Sequence, residues 1–273
     1  MKNNIKLYNG LELPSNGFGT FLLDGQEAYE SVLNAIKSGY RLIDTAAVYN
    51  NEEEVGKAIK DSKINRNDVY ISSKLLAKKK GYNVAIEECK KSLLRLQVEY
   101  LDVYFIHWMP KTYEELLETW RGLEYLYKNG YCKAIGICNV TLFYLDRLLK
   151  ECEIKPMLCQ IECHPFLQQN IFIDYCFEND IKVISYGMFA KGLVFKNERL
   201  ELLAKENKTS VANLILSWGQ TRGLITLSKS STARRIEANF KNNFILKNEL
   251  LDEINELNDG LRVYRDPENN PYA

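Results

Sequence analysis

Short apolar runs alternate with longer amphipathic ones along most of this chain. Runs of four to six mostly apolar residues lie at 17–21, 40–44, 69–74, 101–106, 132–137, 157–161, 181–186 and 224–227. They lack the in–out alternation of a half-wet strand, which predicts parallel strands covered on both faces. Between them, apolar residues recur at helical spacing near 27–38, 52–61, 82–97, 113–129, 141–151, 169–179, 209–221 and 232–240, with an additional helix at 197–207. Ahead of the first strand, residues 5–13 read as a hairpin turned at Asn9-Gly10. Eight strand–helix pairs in roughly 250 residues match the count and length of a (β/α)8 (TIM) barrel. The expected fold class is therefore α/β, a barrel with an N-terminal β-hairpin and extra helices.

No Pro/Gly/Ser-rich linker or low-complexity segment interrupts the pattern, so residues 1–273 read as a single barrel domain. A doubly wound sheet is the main rival. It is weakened because Gly17-Phe-Gly19-Thr-Phe-Leu22 lacks the third glycine of a dinucleotide fingerprint, and no helix start follows directly.

Charge narrows the classes of partner. Lys+Arg and Asp+Glu are equal at 36 each, which argues against nucleic acid or an anionic membrane surface. No run of about 18 apolar residues reads as a membrane span. The opening Met1-Lys-Asn-Asn-Ile-Lys lacks the apolar core of a signal peptide, so a cytoplasmic location is expected. Seven cysteines with no CxxC pair read as reduced, mainly structural thiols. Two histidines and no zinc spacing leave no expected metal site. A small-molecule substrate and a monomer, at most a weak homodimer, are the partner expectations.

Polar residues gather where the pattern ends each strand, and in such barrels that C-terminal face carries the active site. Asp44 ends the second strand, with Tyr49 in the loop beyond. Lys74 ends the third. His107 and Trp108 follow the fourth, and Cys138-Asn139 the fifth. Gln160 and Glu162 lie on the sixth, Tyr186 ends the seventh, and Ser228-Lys229-Ser230 follows the eighth. After Tyr49, Asn50 or Asn51 is placed to cap a helix whose first turn carries Glu52, Glu53 and Glu54. A phenol has an ordinary pKa near 10 and needs a nearby cation to give up a proton at neutral pH. Lys74, held by Asp44, is expected to lower the pKa of Tyr49, while His107 polarises a carbonyl oxygen. That set suits reduction of C=O. No side chain supplies hydride, so a nicotinamide cofactor is implied.

The run Gly39-Tyr-Arg-Leu-Ile-Asp44-Thr-Ala-Ala-Val-Tyr49-Asn-Asn-Glu-Glu-Glu-Val-Gly56-Lys-Ala-Ile59 resembles the first signature of the aldo-keto reductase superfamily. Leu101-Asp-Val-Tyr-Phe-Ile-His107-Trp, Ala134-Ile-Gly-Ile-Cys-Asn139 and Gln160-Ile-Glu-Cys-His-Pro165 are similar to its middle motifs. Lys229-Ser230 with Arg235-Ile236 and Asn239 is similar to its C-terminal one. The resemblance covers almost the whole chain. It implies the same barrel, a tetrad of Asp44, Tyr49, Lys74 and His107 with Tyr49 as general acid, and NADPH extended across the barrel mouth. By the same matching, Asn139 and Gln160 hold the carboxamide and Tyr186 stacks on the nicotinamide. Lys229, Ser230 and Arg235 hold the 2′-phosphate, and Asn239 the adenine. Gly19, Thr20, Cys138, Gly187 and Phe189 complete the implied cofactor contacts. Phe21, Ala47, Val48, Leu76 and Trp108 are the implied substrate wall.

Several positions depart from the family pattern. Cys138 replaces a serine, and Gly187-Met188-Phe189 replaces Ser-Pro-Leu. Ser228 replaces a proline, and Ala238 an acidic residue. These changes are expected to weaken cofactor affinity, and Cys138 to make activity thiol-sensitive. The tail after Gly260 is shorter than in relatives with narrow specificity, which predicts a more open, broader pocket. Two other readings stay open at this point: a non-enzymatic NADP(H)-binding sensor or interaction protein on the same barrel, and a lyase using Lys74 as a Schiff-base amine.

Overall fold

The computed structural model describes residues 4–76 and 78–269. Strands β1 (Asn4–Lys6) and β2 (Glu12–Pro14) form the expected antiparallel hairpin, with Ile5 opposite Leu13. Eight parallel strands then close into a barrel: β3 (Asn16–Gly19), β4 (Leu42–Asp44), β5 (Tyr70–Leu75), β6 (Val103–Ile106), β7 (Ile135–Cys138), β8 (Leu158–Glu162), β9 (Lys182–Tyr186) and β10 (Ile225–Ser228). Strand β10 pairs with both β9 and β3, which completes the ring.

The helices are α1 (Gly25–Ser38), α2 (Glu52–Asp61), α3 (Tyr82–Leu96), α4 (Tyr113–Lys128), α5 (Leu142–Glu151), α6 (Asn170–Glu178), α7 (Glu198–Glu206), α8 (Val211–Thr221), α9 (Ala233–Phe240) and α10 (Asn248–Asn255). The expected extra helix is α7. Helix α10 escaped the sequence reading because it is short and buries only Leu250 and Ile254. Side-chain oxygens of Thr112, Thr141, Asn197 and Ser210 accept backbone N–H groups at the starts of α4, α5, α7 and α8.

The core has two parts. Outward faces of the strands pack against the helices through residues such as Ile43, Ile71, Tyr104 and Ile137. Inside the barrel, Leu42, Val103, Phe105, Leu158, Ile184 and Ile225 form a separate cluster, joined by Leu7 and Leu13 of the hairpin. The hairpin therefore closes the N-terminal end of the barrel. Its Asn9 and Tyr8 side chains donate to the carbonyls of Lys133 and Lys155, which precede β7 and β8. Only the C-terminal end is left for a site. Fully burying one such side chain contributes about 1.5–3 kcal/mol, so the interior cluster alone anchors the strands firmly.

The period of two along β5 sorts polar residues by face. Ser72 and Lys74 point inward to Asp44, whereas Ser73 points outward to Glu52 of α2. Glu52 is buried and also accepts from Ser92 and Arg95, so it ties α2 and α3 to β5 and does more than complement a helix dipole. Asn51 precedes α2 as expected, but it does not cap the helix. Its amide instead donates to the Thr20 and Leu23 carbonyls and accepts from Thr45. No helix among the described residues is long and apolar enough to cross a membrane.

Candidate active site

The barrel mouth opens into a cleft of about 680 Å3. Strand register carries the functional side chains to its floor: Asp44 pairs with Ser72, Cys138 with Gln160, and Glu162 with Tyr186. At the centre, Lys74 is wholly buried. Its ammonium donates to Asp44 Oδ2 at 2.6 Å, to the Thr45 carbonyl at 2.8 Å and to Tyr49 Oη at 3.4 Å. The other Asp44 oxygen accepts from Ser72 Oγ at 2.7 Å and from Gln160 Nε2 at 2.9 Å. Tyr49 ends a single 3-10 turn, Ala47–Tyr49, that hangs its ring over the mouth. The ring meets His107 edge-on at 5.7 Å and Phe21 at 5.1 Å. All four residues of the expected tetrad thus meet at one point.

Their electrostatics follow from enclosure. Burial pushes the Tyr49 phenol up to about 12; Lys74 works in the opposite direction but does not overcome it, and Asp44 adds to the rise. The expectation of a lowered tyrosine pKa is therefore corrected: the phenol stays protonated, as a proton donor must be. Burial works to lower the Lys74 pKa, but Asp44 and the Tyr49 oxygen outweigh it and keep the ammonium charged. Burial, and then Lys74, hold His107 well below 6.5, so its imidazole is neutral at pH 7. His107 Nδ1 has no hydrogen-bond partner among the described residues.

Around this centre, Asn139 in a left-handed conformation donates to the His107 carbonyl at 3.0 Å and accepts from Tyr186 Oη at 2.7 Å. Gly19, Gln160, Tyr186, Gly187, Phe189 and Lys229 also line the cleft. Phe21, Val48 and Trp108 supply its apolar side. Ala47 and Leu76 lie outside the lining. Thr20 is fully buried and turned inward, its hydroxyl donating to the Asp44 carbonyl at 3.0 Å. Cys138 is fully buried beneath Gln160, to which it makes a weak 3.9 Å contact. Burial raises its thiol pKa, so the expected thiol sensitivity loses its basis.

Ser230, Arg235 and Asn239 sit beyond the cleft lining, at the β10–α9 connection and along α9. Lys229 and Arg235 are exposed, and neither side chain has an ion-pair partner among the described residues. Ser228, in the place of the family's proline, shares a 2.8 Å hydrogen bond with buried Tyr40.

Five lining residues were not singled out from the sequence: Leu22, Lys191, Leu227, Tyr264 and Arg265. The last two belong to the short tail, which folds back to line the cleft. No periodicity marks Tyr264, which lies in irregular chain; its only local signal is one more aromatic after Gly260.

Comparison with known proteins agrees with this geometry. The profile of the aldo/keto reductase family matches residues 17–259. The chain is 43% identical over 270 residues to the glyoxal reductase of Bacillus subtilis (strain 168), covering 98% of this chain and 97% of that protein. An aldo-keto reductase from a Medee basin deep-sea metagenome library superposes with a TM-score of 0.95 at 36% identity, covering 98% of this chain and 100% of the other. A Bombyx mori aldo-keto reductase solved in complex with NADP gives 0.90 at 29% identity, covering 97% and 95%. A buried Asp–Lys pair against a protonated phenol, a neutral histidine beside it, and likeness along nearly the whole chain lead to one conclusion: this chain belongs to the aldo/keto reductase family, NADPH-dependent oxidoreductases that reduce carbonyl groups.

Proposed function

We propose that the chain reduces small, uncharged aldehydes and vicinal dicarbonyls, with Tyr49 as the proton donor. The carrying observation is the Tyr49 hydroxyl at the mouth, 3.4 Å from a lysine that Asp44 keeps charged. As oxygen gathers negative charge, Tyr49 passes it a proton, and Lys74 stabilises the phenolate left behind. Neutral His107 donates a hydrogen bond to the same oxygen and orients it. Asp44 holds Lys74 in place without touching substrate. NADPH supplies the hydride when bound.

The donor set fits that cofactor. Asn139 and Gln160 present amides with unused donors and lone pairs beside the tetrad. Tyr186 offers a flat ring, held by Asn139. Lys229, Ser230 and Arg235 stand at the start of α9, where unpaired cations and free backbone N–H groups suit a 2′-phosphate and favour NADPH over NADH. Asn239 remains the expected adenine contact. Phe21, Val48 and Trp108 give the substrate an apolar wall. The small-dicarbonyl preference draws its support from the glyoxal reductase relative.

Lys74 is unsuited to Schiff-base chemistry, because its ammonium is buried, paired and held charged. Seven free thiols, six of them buried, fit a reducing, cytoplasmic setting. All tetrad residues come from one chain, which fits activity as a monomer.

The test is NADPH oxidation with glyoxal-type and bulkier carbonyls, for wild type and Tyr49→Phe side by side. Loss of turnover in the variant by at least about a hundredfold, with NADPH still bound, is expected. Tight NADPH binding without turnover in wild type across the panel would leave the sensor reading in its place.

A further inference from the structure

Glu162 ends β8, and the reaction described above leaves it no role. Its side chain is fully buried, which a carboxylate tolerates only when its lone pairs are taken up. Its partners come mostly from one direction. Oε1 accepts from the backbone N–H of Val263 at 2.7 Å and of Tyr264 at 3.3 Å, and from His164 Nε2 at 3.0 Å. Oε2 accepts from the Tyr264 N–H at 3.3 Å and from Arg262 Nη1 at 3.4 Å. One buried charge therefore gathers three consecutive residues of the C-terminal tail, and charge-assisted bonds of this kind are the stronger ones. Just upstream, Leu261 N–H donates to the Phe166 carbonyl at 3.0 Å, so the tail enters from the loop after β8.

The pinned tail delivers Tyr264 to the cleft. Its ring meets Tyr186 edge-on at 5.4 Å and lies under the Lys191 ammonium at 4.7 Å. It also fills the space beside Gly187. A Cβ at Gly187 would come within 2.7 Å of the Tyr264 ring, and φ there is +70°. Glycine at this position and tyrosine in the tail are thus complementary: the side chain missing from the loop after β9 is replaced by a ring brought from the tail. Tyr264 then backs Tyr186, the residue expected to face the nicotinamide.

We propose that Glu162 is the anchor of a C-terminal strap, Arg262–Tyr264, and that the strap's Tyr264, seated against Gly187 and Tyr186, retains the bound dinucleotide. Glu162 is a positioning residue; it acts through Tyr264 and does not meet cofactor or substrate. The retention role rests on the cleft being the NADPH site, whereas the anchoring role is independent of it.

Both parts can be read separately, on Glu162→Gln, Tyr264→Ala, Tyr264→Phe and the double variant Glu162→Gln/Tyr264→Ala. Without cofactor, trypsin cleavage after Arg262 should be about tenfold faster in Glu162→Gln than in wild type, because a freed strap samples open states. Cleavage at the wild-type rate overturns the anchor. NADPH dissociation constants from cofactor fluorescence should rise roughly five- to tenfold in Glu162→Gln and in Tyr264→Ala, the size expected for a lost aromatic contact. The double variant should bind no more weakly than either single one, and Tyr264→Phe, which keeps the ring, should bind like wild type. Unchanged affinity in Tyr264→Ala, or additive losses in the double variant, overturns the retention role. A wild type that binds no NADPH overturns the functional reading and retention together, and the trypsin comparison still decides the anchor.

Discussion

Gln160 Nε2 donates to Asp44 Oδ1 at 2.9 Å, across 116 positions of sequence. The bond joins an expected carboxamide contact on β8 to the carboxylate that holds Lys74 from β4. The expected cofactor seat and the proposed proton donor thus share one buried hydrogen-bonded network, and disturbing either side should be felt by both.

Asp44→Asn keeps the shape of that network and removes its charge. Lys74 is then a buried ammonium without a counter-ion, and breaking such a pair costs about 3–5 kcal/mol. The expected outcome is a clear fall in melting temperature together with a loss of kcat of about a hundredfold, since no carboxylate then holds the Lys74 ammonium in place beside the phenolate. Thermal melts and turnover on the same preparation check both. Normal kcat would show that Lys74 acts without Asp44.

The pH profile of reduction should lack a tyrosine or histidine inflection near neutrality. Tyr49 stays protonated up to about 12, and His107 stays neutral well below 6.5. The rate constant at saturating cofactor should be level from about pH 6 to about pH 9. A limb with a midpoint in that range would contradict the assignment of either group.

His107 also links stability to pH. Its folded pKa is depressed, so below 6.5 the unfolded chain takes up a proton that the folded one does not. The unfolded state binds more protons there, and stability falls as pH drops, by at most about 1.4 kcal/mol per pH unit for this one group. Above 6.5 the contribution is fully present. Melting temperatures of wild type and His107→Gln between about pH 7.5 and 5 test this: wild type should lose stability more steeply over that range.

Thiol reagents should leave turnover intact. Cys138 is fully buried beneath Gln160 with a raised thiol pKa, and half-buried Cys152 is the least enclosed of the seven cysteines. Activity after treatment should match the untreated enzyme, and Cys138→Ser should respond identically. Inactivation that Cys138→Ser escapes would show that the site opens far enough to expose its floor.

Lys229→Ala and Arg235→Ala should each weaken NADPH binding by about tenfold or more while leaving NADH affinity nearly unchanged, because each removes a charge-assisted contact available only to the 2′-phosphate. The loss should shrink at high salt, since both side chains are exposed. Equal weakening of both cofactors would place these cations elsewhere on the dinucleotide.

The legible part of the site was that tied to strand ends. Asp44, Lys74, His107, Asn139 and Tyr186 each follow or end an apolar run and Gln160 lies within one, and barrel topology gathers such positions on one face whatever the intervening helices contain. Residues that depend on neighbours distant in sequence were less legible. Thr20 and Asn51 look like cofactor and cap residues in one dimension, yet their side chains hold the β3 and β4 loops to each other. The Tyr49 pKa was misjudged for a similar reason: spacing reveals the nearby cation but not the degree of enclosure, and enclosure is the larger effect.

By itself, the sequence determined the class of fold, the parallel order of the strands and which polar strand-end residues meet at the mouth, because apolar periodicity and strand-end chemistry are local properties that survive in one dimension. Only the tertiary structure decided which polar groups are buried, where Cys138 points and which tail residues line the mouth. Burial sets the protonation of Tyr49 and His107, and the seat of Tyr264 arises from a carboxylate at position 162 meeting a tail a hundred residues away. Those are properties of the closed barrel, in which distance along the chain no longer measures distance in space.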